Sequence, residues 1–193
     1  MGKVYIDLKI FLGKKGTICG DENIGATNNR DFINKFIQGV VQCGKAPIVD
    51  NEQKLTMIPV DWVAENIIHA ISERLGDALK LRNFHVFNES NKCMNMKQLV
   101  FSLESYGYEV EWMEFEKWKQ LIGSFKSEKE NVLFPLVSYF SGTVFPSQSD
   151  DSHFDKSNME KIQKSEPVEI KTKAVLKWLR FFQKMDIIPP ATL

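Results

Sequence analysis

The chain has 193 residues, of which 43% are hydrophobic and 26% charged, a composition that suits one soluble domain or one lobe of a larger domain. Its 25 basic and 25 acidic residues cancel, which argues against nucleic acid or an anionic membrane as the main partner. Three cysteines without a Cys-x-x-Cys pair exclude a disulfide framework and a cysteine zinc site, and no apolar stretch is long enough to span a membrane. We therefore predict a cytoplasmic protein.

The first sixty residues carry two strand patterns and one helix pattern. Residues 4–11 form an apolar run and residues 55–60 an extended piece around a proline, so both are predicted strands. Residues 31–42 place apolar side chains at helical spacing. We expect a helix there, capped by Asn28 or Asn29.

Asp61 stands at the N-cap position of the next predicted helix, which should run to about residue 75. Its carboxylate could accept hydrogen bonds from the first free amides, and a helix cap is the simplest role for it. The side chains expected to face inward are Val63, Ala64, Ile67, Ile68 and Ile71.

The next stretch alternates strand and helix again. Residues 84–87 and 109–115 are predicted strands, and between them Asn95 and Gln98 have the spacing of a capping box that opens a helix. A short helix closed by Gly123 should follow. This alternation indicates the α/β class.

The last third is predicted to be mainly helical. The aromatic segment 126–145 is expected to be helical in part, and a short helix should cover 158–163. Residues 172–185 form an amphipathic pattern that ends before two prolines.

Few side chains suggest chemistry by themselves. The histidines lack metal-pair spacing and the acidic loop lacks the glycine of a calcium loop, so no metal site is predicted from His69, His85, His153, Asp150, Asp151 and Asp155. A catalytic dyad with Cys43 or Cys93 remains an alternative. The final helix is basic, which favours either a solvated face or a docking surface for an acidic partner, through Lys171, Lys173, Lys177, Arg180 and Lys184.

Five stretches carry a family resemblance, in the expected order. They are GTICGD at 16–21, IPVDWVAENIIHA at 58–70, the strand–helix–strand–helix run 83–122, FDKSNMEKIQ at 154–163 and the closing helix with its proline pair at 171–190. Together they resemble the carboxy-terminal part of a thioester reductase domain, in the extended short-chain dehydrogenase/reductase superfamily. Such domains end polyketide synthases, nonribosomal peptide synthetases, carboxylic acid reductases and aminoadipate reductase.

The resemblance implies the carboxy-terminal, substrate-binding lobe of an extended Rossmann-type reductase, without its nucleotide-binding half. Residues 1–75 would hold the end of the Rossmann-like sheet and the first helices of the lobe, and residues 76–193 the mostly helical remainder. The cofactor would be NADP, and the partners an acyl carrier protein or the missing amino-terminal half. The residues nearest the nicotinamide would be Gly16, Thr17, Ile18 and Gly20.

The sequence also departs from the family pattern. It lacks the phosphate-binding GxxGxxG, and Leu12 to Lys15 stand where an Arg-Pro pair is usual. Tyr5 and Lys9 have the catalytic Tyr-x-x-x-Lys spacing but lie in a strand pattern, so no catalytic residue is predicted and the chain is not expected to catalyse alone. The alternative is a gene remnant or a small protein-binding module, in which the apolar face of helix 31–42 would be left uncovered.

Overall fold

A computed structural model describes residues 10–11, 17–49, 54–74, 84–85, 88, 92–140, 157–161, 163–166 and 168–191. The elements in chain order are β1 (Ile10–Phe11), β2 (Thr17–Cys19), α1 (Phe32–Cys43), β3 (Lys45–Ile48), β4 (Met57–Pro59), α2 (Val60–Arg74), β5 (Phe84–His85), α3 (Met96–Tyr106), β6 (Glu111–Glu114), α4 (Phe115–Ser124), a 3₁₀ helix (Phe134–Phe140), α5 (Ser157–Glu160) and α6 (Thr172–Lys184).

The described strands pair in parallel. β1 pairs with β5, β2 with β4, and β3 with β6, in three two-stranded sheets. In the β2–β4 pair, Thr17 lies opposite Met57, and Cys19 lies opposite Pro59. Parallel pairs connected through helices are typical of α/β proteins, so the predicted class is confirmed.

Helix α1 forms over the predicted residues, but its start differs. Asp31 is the N-cap residue and makes no side-chain capping bond; its Oδ1 instead accepts from Asn28 Nδ2 at 3.0 Å. The expected cap by Asn28 or Asn29 was therefore wrong by two or three residues. Gly44 ends the helix in the left-handed conformation, with φ 64°, as the sequence predicts for a glycine.

The apolar face of α1 is fully buried. Phe36, Ile37 and Val40 are 0% exposed, because they belong to a core cluster shared with α3, α4 and α6. We call this cluster the large core; its biggest fully buried side chains include Trp118, Trp178, Phe140 and Phe182. The expectation of an uncovered helix face was wrong, because the carboxy-terminal helices supply the cover.

The capping box of α3 forms as predicted. The Gln98 N–H donates to Asn95 Oδ1 and the Asn95 N–H donates to Gln98 Oε1, both at 2.8 Å. Gly107, with φ 107°, ends the helix. Local sequence alone determines this element.

Other boundaries moved. Gly123, predicted to close the short helix, lies inside α4, which ends at Ser124, and the unpredicted strand β3 contains Pro47. The segment after α4 forms turns and the 3₁₀ helix, and residues 141–145 of that prediction lie outside the described residues. Of the predicted strands 4–11 and 84–87, only β1 and β5 are described.

Candidate functional site

The carboxyl ends of β2 and β4 form one edge of the two-stranded β2–β4 sheet. Because the two strands are parallel, the segment after Cys19 and the start of α2 at Val60 emerge on the same side. Residues 20–26, which we call the β2 loop, turn back on themselves: the Asp21 N–H donates to the Ala26 carbonyl at 2.9 Å and the Gly25 N–H to the Asp21 carbonyl at 3.0 Å. Ligands of open α/β sheets bind at such an edge.

Asp61 joins the start of α2 to the β2 loop. Its Oδ2 accepts from the Glu22 N–H at 3.3 Å and from Asn23 Nδ2 at 3.4 Å, while its Oδ1 is buried without a hydrogen-bond partner. The helix begins at Val60, so Asp61 lies in its first turn, where a carboxylate is favourable, and not at the N-cap. The predicted helix cap is thus corrected to a tie between two elements.

Helix α6 holds the β2 loop from the other side. A Cβ added to Gly20 would lie 2.4 Å from the Trp178 indole, and one added to Gly25 would lie 2.3 Å from the Lys177 carbonyl oxygen. Gly25 also has φ 74°, which favours glycine. In addition, Lys177 Nζ donates to the Glu22 carbonyl. Only glycine therefore fits at either position.

Burial and the neighbouring charges raise the pKa of two groups at this edge. Burial, reinforced by Asp61, raises the pKa of the Glu22 carboxyl, and Lys177 partly offsets the rise. Burial raises the pKa of the Cys19 thiol well above its ordinary value, with Cys93 and the carboxylates of Glu22 and Asp61 adding to it. A neutral buried thiol is a poor nucleophile.

Helix α2 carries a second, smaller apolar cluster on its inner face. We call it the α2 cluster: Ile58, Trp62, Val63 and Met159. Trp62 Nε1 donates to the Ser165 carbonyl at 3.1 Å, and the Lys164 N–H donates to Asn66 Oδ1 at 3.0 Å. Met159, Lys164 and Ser165 thereby hold the described residues at and after α5 against α2.

The predicted inward stripe of α2 was half wrong. Val63 is buried and Ile67 packs against the α2 cluster, as predicted, but Ala64 is exposed and Ile68 is 65% exposed; Ile71 lies outside the side chains described. Trp62 and Asn66 occupy the inner face instead, because the 159–166 segment supplies both apolar and hydrogen-bonding partners there. The outer face therefore keeps an apolar row.

Of the residues predicted near a nicotinamide, Gly20 lies at the β2–β4 edge, and Thr17 and Ile18 lie earlier in β2. Thr17 and Ile18 are half-buried in β2, Gly20 is buried against Trp178, and Gly16 lies outside the described residues, as do Tyr5 and Lys9. The sequence did not indicate that Glu22, Lys177 and Trp178 belong to this edge. No local pattern could have found them, because Lys177 is 155 residues from the carbonyl it contacts.

The described residues show neither a metal site nor a membrane-spanning helix. Among residues 17–49, 54–74, 92–140 and the described part of the carboxy-terminal third, no group of His, Cys, Asp or Glu is placed to hold a metal ion. No helix within the described ranges is long and apolar enough to cross a membrane. Cys19, Cys43 and Cys93 form no disulfide, and burial raises the pKa of Cys43 as well.

Sequence comparisons agree with this picture. A NAD-binding family model described as Male sterility protein matches residues 5–67. The L-2-aminoadipate reductase large subunit of Candida glabrata is 32% identical over 134 residues, which are 68% of this chain and 9% of that protein. The L-2-aminoadipate reductase of Saccharomyces cerevisiae is 26% identical over 190 residues, 93% of this chain and 13% of that protein.

The fold has solved relatives. It matches the terminal R domain from the myxalamid PKS-NRPS biosynthetic pathway with a TM-score of 0.73 at 18% identity, covering 91% of this chain and 43% of that one. The chain thus spans less than half of that domain and a small part of the curated reductases. By sequence and fold together, the chain belongs to the thioester reductase-like family, with an α/β fold like that of the solved reductase domain.

Proposed function

We propose that this chain is the substrate-binding portion of an NADP-dependent reductase acting on acyl thioesters held on a carrier protein. In that reaction a hydride adds to the thioester carbonyl carbon, the carbon–sulfur bond breaks, and the thiol leaves with a proton. The product is an aldehyde, or an alcohol after a second hydride. One observation carries the proposal: an apolar row on the outer face of α2.

The row consists of Val60, Ala64 and Ile68. Val60 is 38% and Ile68 65% exposed, and a spacing of four residues places all three on one side of the helix. Single exposed apolar residues are ordinary, but a contiguous row marks a binding surface. At 1.5 Å per residue the row is about 12 Å long, and it begins directly after β4. An acyl chain lying on it would have its thioester at the β2–β4 edge.

The β2–β4 edge would contact only the nicotinamide end of the cofactor. We place the nicotinamide end beside the half-buried Thr17 and Ile18, because the Trp178 indole fills one face of Gly20. The sequence contains no glycine cradle for the pyrophosphate. We therefore propose that the phosphate-binding loop and the proton donor come from polypeptide outside this sequence, and that this chain alone does not reduce thioesters. Three cysteines without a disulfide suit a cytoplasmic location, which belongs to the proposal.

The test is binding of a medium-length acyl-pantetheine thioester to the purified chain, followed by NMR. Native chain should bind, and Ile68→Glu should weaken binding by about tenfold or more, because a carboxylate would be buried under the acyl chain. Ile48, 57% exposed on a different element, provides the matched control: Ile48→Glu should leave binding unchanged. Equal loss in both variants, or no binding by native chain, would contradict the proposed acyl site.

NADPH oxidation by the same samples tests the catalytic part. We expect no NADPH oxidation with this chain alone. We expect NADPH oxidation when the acyl-pantetheine is offered to a polypeptide that joins this chain to a half containing GxxGxxG. Turnover by the chain alone would show that the missing-half proposal is wrong. A second candidate, a protein-binding module without any reductase role, is favoured by Lys173, Arg180 and Lys184 of α6, which are exposed and form no ion pair with the residues that the structure describes.

A further inference from the structure

Glu22 differs from the other partly buried carboxyl groups of the described chain. Six acidic residues in that part are partly buried. The other five each accept a hydrogen bond through a carboxylate oxygen: Asp21, Asp31, Asp61, Glu104 and Glu116. Among the described residues, the Glu22 carboxylate accepts no hydrogen bond and joins no ion pair. Partial burial of a carboxylate without a partner costs stability, so folding alone does not explain this side chain.

The backbone of Glu22 is fixed from two sides. Its N–H donates to Asp61 Oδ2 of α2 at 3.3 Å, and its carbonyl accepts from Lys177 Nζ of α6. The hydrogen bonds donated by the Asp21 and Gly25 N–H groups close the β2 loop around it. The carboxyl group therefore extends from a position that is held before any ligand arrives, as the position of a catalytic group must be.

Glu22 lies where the proposed function puts the thioester. It follows the end of β2, and Asp61, which it contacts, is the neighbour of Val60, where the apolar row of α2 begins. Trp178 is 0% exposed, and in the described part of the chain its Nε1, beside Gly20 of the same loop, has no hydrogen-bond partner. An unpaired buried donor at the carboxyl end of parallel strands is a second sign that a ligand binds there.

The groups that face Glu22 favour its protonated form. Burial first, then Asp61 of α2 and Asp21 of its own loop, raise the pKa of the Glu22 carboxyl, while Lys177 of α6 partly offsets the rise. The neighbouring thiol of Cys19 in β2 is neutral, because burial raises its pKa well above the ordinary value. A carboxyl with a raised pKa at a sheet edge is suited to donate a proton during a reaction.

We propose that Glu22 donates the proton that leaves with the thiol. Hydride addition to the thioester carbonyl carbon gives a tetrahedral oxyanion. When it collapses, the carbon–oxygen double bond forms again, the electron pair of the carbon–sulfur bond stays on sulfur, and sulfur takes the Glu22 proton. The Glu22 carboxylate then regains a proton from water. The donor supplied by other polypeptide serves the alkoxide of the second reduction, in which no thiol leaves. This inference rests on the proposed function, because only there does a thioester lie at the β2–β4 edge.

The first test uses the polypeptide that joins this chain to a half containing GxxGxxG, with acyl-pantetheine and one equivalent of NADPH. Chemical quench and chromatography follow the released pantetheine. Native polypeptide should oxidise NADPH and release pantetheine together. In Glu22→Gln, pantetheine release should be slower than NADPH oxidation by about tenfold or more, because the hemithioacetal lacks its proton donor. Reduction of the free aldehyde should stay within about twofold of native, whereas a merely structural role would slow both reductions.

The pH dependence adds a second signature with a matched control. Pantetheine release by native polypeptide should slow as pH rises through the folded-state pKa of Glu22, because only the protonated carboxyl can donate. Glu22→Gln should lack this dependence. Glu160→Gln makes the same change at an exposed position of α5 and should match native polypeptide in rate and in pH profile.

The second test uses the chain by itself and needs no turnover. Saturation with the S-octyl thioether of pantetheine should raise the pKa of Glu22 further, because the protonated carboxyl would donate to the bound sulfur. Carbon-13 NMR of the carboxyl measures this. Asp31, whose pKa burial also raises, lies at the start of α1 and should not respond.

The outcomes separate this proposal from the proposed reductase function. Thioether binding that leaves the pKa of Glu22 unchanged would overturn the role of Glu22 alone. So would pantetheine release that keeps pace with NADPH oxidation in Glu22→Gln. A native joined polypeptide that binds no thioether and oxidises no NADPH would overturn the reductase function, and the role of Glu22 with it.

Discussion

The large core and the α2 cluster hold their parts of the chain in different ways. The large core gathers residues from α1, α3, α4 and α6 and is filled almost entirely by apolar side chains, including Trp118 and Trp178 at 0% exposure. The α2 cluster has four buried members and depends on polar ties to the 159–166 segment, through Trp62 and Asn66. Burial dominates the first region, and directional hydrogen bonds contribute a larger share in the second.

The candidate site lies between these two regions. Trp178 of the large core packs against Gly20, and Asp61, next to Trp62 of the α2 cluster, binds the other side of the β2 loop. Both contacts leave a buried polar atom unpaired: Trp178 Nε1 and Asp61 Oδ1. Unsatisfied groups of this kind each cost about 1–3 kcal/mol and gather at functional positions. Stability is therefore reduced where the two regions meet.

The largest expected effect separates the two clusters by tryptophan truncation. Trp178→Ala should lower the free energy of unfolding by about 4–5 kcal/mol, and Trp62→Ala by about 2–3 kcal/mol, because the smaller cluster can relax around the cavity. Chemical denaturation monitored by circular dichroism measures both. Trp178→Phe should cost far less than Trp178→Ala, since it also removes the unpaired N–H. Equal losses for Trp178→Ala and Trp62→Ala would remove the distinction between the clusters.

A smaller effect is expected from alanine at two glycines. Gly25→Ala should destabilise by about 2–3 kcal/mol, because its φ of 74° strains any other residue and its Cβ would overlap the Lys177 carbonyl. Gly123, inside α4, is the control: its added Cβ would meet only Val137, at 3.8 Å. Gly123→Ala should stabilise by about 0.5–1 kcal/mol. Thermal unfolding of both variants measures these changes in stability. If Gly25→Ala leaves stability unchanged, α6 does not hold the β2 loop.

The sequence predicted the large core better than the edge. Apolar spacing identified α1 and α6, and the Asn95–Gln98 box identified α3, because each depends on neighbours a few residues apart. The short strand β3 was missed, since its pairing with β6 is contributed by residues 66 positions away. The stripe on α2 was half wrong for the same reason: the 159–166 segment decides which side is inner. The Lys177–Glu22 contact left no local trace at all.

The smallest expected effect is a pH dependence of stability that comes from Glu22 at the β2–β4 edge. The pKa of the Glu22 carboxyl is raised in the folded chain, by burial first, then by Asp61 and Asp21, against the lowering by Lys177. A raised folded-state pKa means that stability is fully present below the unfolded-state value, near pH 4, and is lost as pH rises through the folded-state value. Glu22→Gln keeps the shape of the protonated side chain without titrating. Its melting temperature should match native chain near pH 4 and exceed it near pH 7, whereas Glu160→Gln, at an exposed position of α5, should show no such gap. A Glu22→Gln variant that loses stability at neutral pH would mean that the Glu22 carboxylate supports the β2 loop, and the loop would then depend on this charge as well as on α6.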